Sequence, residues 1–370
     1  MSQLFSPYAI GPVALKNRIV IAPMCQYSCQ EGLANDWHLI HLGQLVLSGA
    51  GLLILEATAV EPDGRITSAD LGLWSDATEA ALGRVIASVQ QHSRMPLGIQ
   101  LSHAGRKSSS RTPWEGGQLV LPADGGWVPS GPSAIEHAAG EPPPKAMTAD
   151  DLQRIAQAFA KAAVRAHRVG IRVIELHMAH GYLLHQFLSP ISNQRSDAYG
   201  GSLDNRIRFP LEVFDAVRAA VPDEVAVGVR ISGTDWVEGG WDIDQSVVLG
   251  KALAARACAF MHVSSGGISP KQQIPIGPGY QIHLAEMVRK ETGLPTMAVG
   301  LITEPQQAED IIAQGRADMV AIARGILYNP HWPWQAAAAL GAQVEAPRQY
   351  WRSQPRGLSG LFGEVTIGQR

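Results

Sequence analysis

Residues 148–176 read TADDLQRIAQAFAKAAVRAHRVGIRVIEL. Thr148, followed by Ala149, Asp150 and Asp151, is a helix start of the capping-box kind, with acids in the turn whose exposed N–H groups favour negative charge. A helix over Thr148–Arg168 follows, and Gly170 stands where a helix stops in a left-handed turn. Arg172–Leu176 is then a short β-branched and aliphatic run, which reads as a strand. A long helix delivered within a few residues into a short apolar strand is half of a parallel βαβ unit.

The rest of the chain repeats this unit. Strand-like runs stand at Arg18–Ala22, Gly51–Ala57, Leu97–Leu101, Arg172–Leu176, Val225–Ile231, Phe260–Val263, Thr296–Val299 and Met319–Ala323. Helical patterns lie between them at Trp37–Leu47, Asp76–Gln91, Thr148–Arg168, Asn205–Ala220, Asp244–Ala257, Gln281–Thr292 and Glu304–Gln314, with an eighth near Pro333–Leu340. Thr303-Glu304-Pro305 puts proline in an opening turn, and Gly293 marks a stop. Eight strands with eight helices fit a closed (β/α)8 TIM barrel better than an open doubly wound sheet, because no G-x-G-x-x-G follows the first strand.

The 370 residues are 46% hydrophobic and 17% charged, enough apolar material for a large core. One barrel domain over 1–370 is expected, carrying an insertion at 104–147 and an extension at 341–370. The insertion is rich in Gly, Pro and Ser, includes Pro142-Pro143-Pro144, and leaves the third strand on the face where barrel chemistry occurs, so it reads as a lid. A net charge of -3 with mixed signs argues against nucleic acid or an anionic membrane as partner. No leader-like N-terminus or long apolar span is present in the sequence, and a cytoplasmic protein is expected. Cys25, Cys29 and Cys258 are too few for a disulfide framework, and no second cysteine pair completes a metal site with Cys25 and Cys29.

In such a barrel the residues at strand C-terminal ends share one mouth. They run Pro23-Met24-Cys25-Gln26-Tyr27, Ala57-Thr58, Gln100 with Ser102-His103, His177 with His180 and Tyr182, Arg230, Ser264 to Gly267, Gly300, and Ala323-Arg324-Gly325. Glycines after the last two strands, with the fork of donors on Arg324, suit a phosphate; tight turns alone are the plainer reading of Gly300 and Gly325. His177 and His180 are three apart, which aims both rings at one spot. They can ligate a metal or donate to an oxygen on which charge develops; the second outweighs the first because Glu175 is the main acid nearby, and a purely structural role ranks third. Tyr182 is a general-acid candidate, set against the plain reading of a core tyrosine. His38 and His41 share the spacing but lie on an amphipathic helix as packing or surface residues.

The runs Asn17-Arg18 through Tyr27, Glu56–Val60, Gln100–Lys107 and, above all, His177-Met178-Ala179-His180-Gly181-Tyr182-Leu183-Leu184 resemble the Old Yellow Enzyme family, in the thermophilic-like branch similar to xenobiotic reductases. The likeness continues through Phe187–Pro190 and Asn193–Asn205 and covers nearly the whole chain. It implies FMN across the barrel mouth, near Pro23 and Met24, with its phosphate held by Gly300, Arg324 and Gly325. It further implies Ala57 and Gln100 at the pyrimidine edge, Arg230 near N1 and O2, His177 beside the ring, and Cys25 near N5 and O4, where the other main branch carries Thr. Activity is implied as a ping-pong reduction of the C=C bond of small enones by NADPH or NADH. His177 and His180 would grip the substrate oxygen, Tyr182 would protonate, and Tyr27 and Cys25 would contact the substrate. Relatives push an aromatic or arginine from one subunit into a neighbour's pocket, which implies a homodimer or dimer-based homotetramer with Trp351 or Arg352 in that role. Val299 replaces a tryptophan of some relatives and predicts a roomier pocket. The alternatives are a metal-dependent barrel hydrolase built on the histidine pair, a flavin-binding protein without activity, and a dienoyl-CoA or amine-oxidising relative, whose iron–sulfur motif and extra nucleotide-binding domain this sequence lacks.

Overall fold

The computed structural model describes residues 2–365. Eight parallel strands close into a barrel: β1 (Ile19–Ile21), β2 (Leu52–Ala59), β3 (Leu97–Ser102), β4 (Val173–Met178), β5 (Ala226–Ser232), β6 (Met261–Ser264), β7 (Thr296–Ala298) and β8 (Met319–Ile322). Each pairs with its sequence neighbours, and β8 returns to β1. All eight expected strands form, as do the eight expected helices, within a few residues of the anticipated ends.

Every residue of the eight strands is buried, as expected of parallel strands covered by helices outside and packed side chains inside. The helix over Ala149–Arg168 is capped by Thr148, whose hydroxyl accepts from Asp151 N, and its face of Leu152, Ile155, Phe159, Ala162 and Ala166 joins the core. Gly170 adopts the left-handed conformation its place required.

Three features escaped the sequence reading. Tyr8–Ile10 and Val13–Leu15 form an antiparallel hairpin whose Ile10, Val13 and Leu15 pack with Val20, Ile54, Val173, Ala226, Phe260 and Met319. That cluster plugs the N-terminal end of the barrel with apolar contacts. Two short helices, Leu183–Leu188 and Arg324–Tyr328, follow β4 and β8 at the mouth. They are too short to show a helical period.

Insertion 104–147 holds short 3-10 turns and a two-residue pairing of Ser130–Gly131 with Lys145–Ala146. It is tied down by arginines. Arg106 donates to the carbonyls of Ile135, Glu136 and Ile268, and Arg195 donates to those of Pro132 and Met147. Beyond the helix Trp332–Ala339, the chain packs through Val344, Leu361 and Phe362 and pairs Glu345 with Lys16, just before β1. This extension therefore lies toward the N-terminal end of the barrel. No helix among the described residues is long and apolar enough to cross a membrane.

Candidate functional site

Register explains which side chains meet. In the parallel ladder Gln100 lies beside Glu175, His177 beside Arg230, and Arg230 beside His262, so one ring of polar side chains enters the barrel near its C-terminal end. Gln100 Nε2 donates to Glu175 Oε1 at 2.6 Å, and Glu175 Oε2 is 2.8 Å from His262 Nδ1. Glu175 and His262 are fully buried. With its amide nitrogen committed, Gln100 keeps its carbonyl oxygen for a ligand. Arg230 Nε and His262 Nε2 are buried without a protein partner, and groups of that kind call for a ligand or water.

At the end of β4 the three anticipated residues converge. The ring of His177 stands 5.2 Å from that of His180 and 4.8 Å from that of Tyr182, near-perpendicular to both. His177 Nδ1 accepts from Ala179 N at 3.3 Å, so its proton sits on Nε2. His180 is left-handed, with φ of 57°, and that turn is held on several sides: His180 N donates to Ser232 Oγ, Lys107 Nζ to His180 O, and Gly181 N to His185 Nδ1. His185 is itself bonded to buried Asp235 at 2.8 Å. Burial, reinforced by Arg230, pushes both His177 and His180 well below the ordinary histidine range, so they are neutral donors. Burial raises the Tyr182 phenol, which keeps its proton at any ordinary pH.

The loop after β1 brings Cys25 and Tyr27 to the same mouth. Glu56, at a register irregularity of β2, accepts from Gln26 N at 2.8 Å and lies 3.4 Å from His38. His38 is thus a buried anchor of this loop rather than a surface residue. Burial, then Asp70 and Glu56, push the Cys25 thiol well up, so no thiolate forms there. Tyr27 meets Trp114 of the insertion edge to face at 5.8 Å, so the insertion reaches the mouth.

Across the barrel a cavity of about 190 Å³ is lined by Gly300, Arg324, Gly325, Ser264, Gln281 and Tyr280. Gly300 has φ of +119°, and a Cβ there would lie 2.5 Å from Gln281 Nε2. Only glycine fits. The structure thus gathers Cys25, Tyr27, Gln100, His177, His180, Tyr182 and Arg230 at one end, with Gly300, Arg324 and Gly325 beside them. Trp351 is not among them: within one chain it lies in a groove with Lys16, Val46 and Met95, and its indole donates to Ala346 O. Among the described residues no three His, Cys, Asp or Glu side chains cluster as metal ligands do. Reading the sequence missed His262 and the role of Glu175, which look like interior strand positions, and Lys107, which carries no motif of its own.

The family model described as the NADH:flavin oxidoreductase / NADH oxidase family matches residues 3–343. The chain is 44% identical over 351 residues to an NADPH dehydrogenase of Geobacillus thermodenitrificans, covering 94% of this chain and 98% of that one. It is 41% identical to an NADPH dehydrogenase of Listeria innocua, covering 95% and 99%. Among solved structures, morphinone reductase in complex with tetrahydroNAD superposes with a TM-score of 0.76 at 29% identity, covering 93% of this chain and 92% of that one. A 2-naphthoyl-CoA reductase superposes at 0.82 with 25% identity, covering 92% of this chain and 52% of that longer one.

Proposed function

Because the chain belongs to the NADH:flavin oxidoreductase / NADH oxidase family, we propose that it is an FMN-dependent ene-reductase of the thermophilic-like Old Yellow Enzyme branch, reducing the C=C bond of small enones. The observation that carries this reading is the convergence of two neutral imidazoles and a protonated phenol, His177, His180 and Tyr182, at the mouth that Gln100 and Arg230 also enter.

The residues fit the cofactor. An unpartnered arginine N–H on Arg230 and a free amide oxygen on Gln100 suit the mixed donor and acceptor edge of a flavin pyrimidine. The Gly300, Arg324 and Gly325 cavity suits its phosphate. Pro23, Met24 and Ala57 supply backbone beside it. FMN, when bound, supplies two-electron storage, taking hydride from a reduced nicotinamide and giving it to an alkene carbon. Arg230 favours negative charge on the pyrimidine edge by about 1.5–3 kcal/mol through a charge-assisted bond. His177 and His180 donate to the substrate carbonyl oxygen and stabilise the charge that grows there. Tyr182 holds at its hydroxyl the proton destined for the α-carbon. Cys25 and Tyr27 shape the pocket around the substrate.

NADPH and NADH are both candidate reductants, and a homodimer or dimer-based homotetramer, with Trp351 or Arg352 reaching a neighbour's site, belongs to the same proposal. The test is a visible spectrum of the isolated protein, then after NADPH, then after cyclohexenone, all without oxygen. Yellow protein that bleaches and recovers its colour is expected; colour that bleaches and stays lost with every enone tried would refute ene-reduction.

A further inference from the structure

Beneath the insertion lies a second cavity, of about 150 Å³, that shares Tyr27 and Lys107 with the mouth. Its lining is cationic. Arg106, Lys107 and Arg111 contribute three positive groups against the single carboxylate of Glu141, which already accepts from Ala138 N. Ion pairs in and beside the insertion are Lys145–Asp151, Arg154–Asp151, Arg154–Glu61 and Arg195–Asp197; among the described residues none includes Arg106, Lys107 or Arg111.

Lys107 Nζ donates to His180 O at 2.9 Å and Gly267 O at 3.2 Å and lies 5.0 Å from the Tyr182 ring centroid. An ammonium has three N–H donors, so one remains. Arg106, 5% exposed, spends its terminal nitrogens on carbonyls and leaves Nε unpartnered, as is the hydroxyl of fully buried Ser108 on the same wall. Two adjacent enclosed cations, neither of them ion-paired and with Glu141 the one acid on the same lining, are costly unless something compensates them. Burial and Arg106 bring Lys107 down to about 8, and burial with both cations brings His137 on this lining down to about 4.

We propose that this cavity is a subsite for an anionic group, a carboxylate or phosphate, on a molecule whose other end lies over the His177, His180 and Tyr182 site. Its volume is ample for one such group. The carrier is an acidic acceptor or the nicotinamide nucleotide through its pyrophosphate. The inference rests on the function proposed above, in that a small ligand occupies that mouth.

The test compares the FMN-loaded protein with K107M, whose unbranched side chain is one atom shorter and loses the charge, and with R111Q in case K107M fails to retain FMN. Dead-end phenols are titrated by their shift of the visible band. The carboxylate-bearing 4-hydroxyphenylacetate is expected to bind the unaltered protein about tenfold more tightly than 4-methylphenol, the ratio of one charge-assisted hydrogen bond. K107M should equalise the two, and R111Q should narrow the gap. In a second arm, half-saturating NADPH is compared with phosphate-free 1-benzyl-1,4-dihydronicotinamide. A rise for NADPH alone in K107M assigns the anion to the nucleotide and also supports the subsite. If the phenol ratio and both reductants are unmoved in the variants, or if all ligands weaken equally, the subsite is overturned and Lys107 is a structural strut. Failure of every phenol and enone to bind a protein that retains FMN and is bleached by NADPH counts against the ene-reductase reading instead, leaving the NADPH arm to decide the subsite.

Discussion

Glu175 and His262 lie 2.8 Å apart inside the barrel, fully out of solvent, and the same carboxylate takes the Gln100 amide at 2.6 Å. Burial and then Arg230 hold His262 below the ordinary histidine range, opposed by Glu175, so it is a neutral ring donating Nδ1–H. The carboxylate is then the local countercharge of Arg230.

E175Q follows from this arrangement. An amide at 175 can accept from His262 with its oxygen, but its NH2 then confronts the NH2 of Gln100, which must flip and turn a donor toward the cofactor. Removing a negative charge near Arg230 also favours the anionic reduced flavin. Weaker FMN retention and a reduction potential higher by on the order of 30 mV, tenfold in the two-electron equilibrium, are expected. Spectroelectrochemistry checks the potential. The exchange Q100E with E175Q should restore FMN retention, because it returns one carboxylate and one amide to the same contact.

Ser264 stands 2.8 Å from His180 Nε2. Gln281 donates its amide to Val299 O at 2.8 Å, so its oxygen faces the serines, and Ser265 donates to that oxygen at 2.5 Å. Ser264 is 3.5 Å from the same oxygen, and its proton therefore goes to His180, leaving Nδ1–H as the donor toward a substrate. S264A should weaken phenol binding to the FMN-loaded protein about threefold to tenfold, the worth of one oriented hydrogen bond. S264T should largely restore it. Equal phenol affinity in S264A would remove Ser264 from the site.

How much of this was legible beforehand divides along a physical line. The alternation of Arg172–Leu176-like runs with long helices carries the barrel, because periodicity is written locally. Strand ends such as His177, Arg230 and Gly300 could be read once the barrel was assumed. Glu175 and His262 could not be paired, since one lies on β4 and the other on β6, and each contacts a partner across the barrel interior, where residues distant in sequence meet. The plugging hairpin at Tyr8–Leu15 was invisible for the opposite reason: three-residue strands are too short to show alternation. Lys107 sits in a Gly-Arg-Lys turn with no periodic signature, and only its contacts with His180 and Tyr182 give it a role.

H177A and Y182F separate two parts of the proposed chemistry. Loss of one donor to a charge-bearing oxygen costs about 10²–10³ in rate, so H177A should lower ene-reduction by that order and abolish the phenol band shift. Y182F keeps the ring against His177 and loses only the proton. Turnover should fall about 10²-fold while phenol affinity changes little. Rapid mixing of the NADPH-reduced protein with cyclohexenone measures the rate in each variant and the visible band shift measures phenol affinity; Y182F reacting at the unaltered rate would assign the proton to another group.

The pH profile follows from burial. His177 and His180 are held well below the usual histidine range, so lowering the pH from 9 to 6 does not charge them, and Tyr182 is held above the usual phenol range, so raising the pH does not ionise it. Reduction of a neutral enone should therefore be flat from about pH 6 to about pH 9. An anionic acceptor should behave differently. Lys107 titrates at about 8, so its charge is present below that pH and lost above it, and any advantage of the anionic over the neutral acceptor should decline through pH 8. The ratio of the two kcat/KM values against pH reads this directly, and K107M should make that ratio independent of pH. A limb near pH 6.5 in the neutral-enone profile would mean that an imidazole at the mouth is solvated, contrary to the enclosure seen around His177.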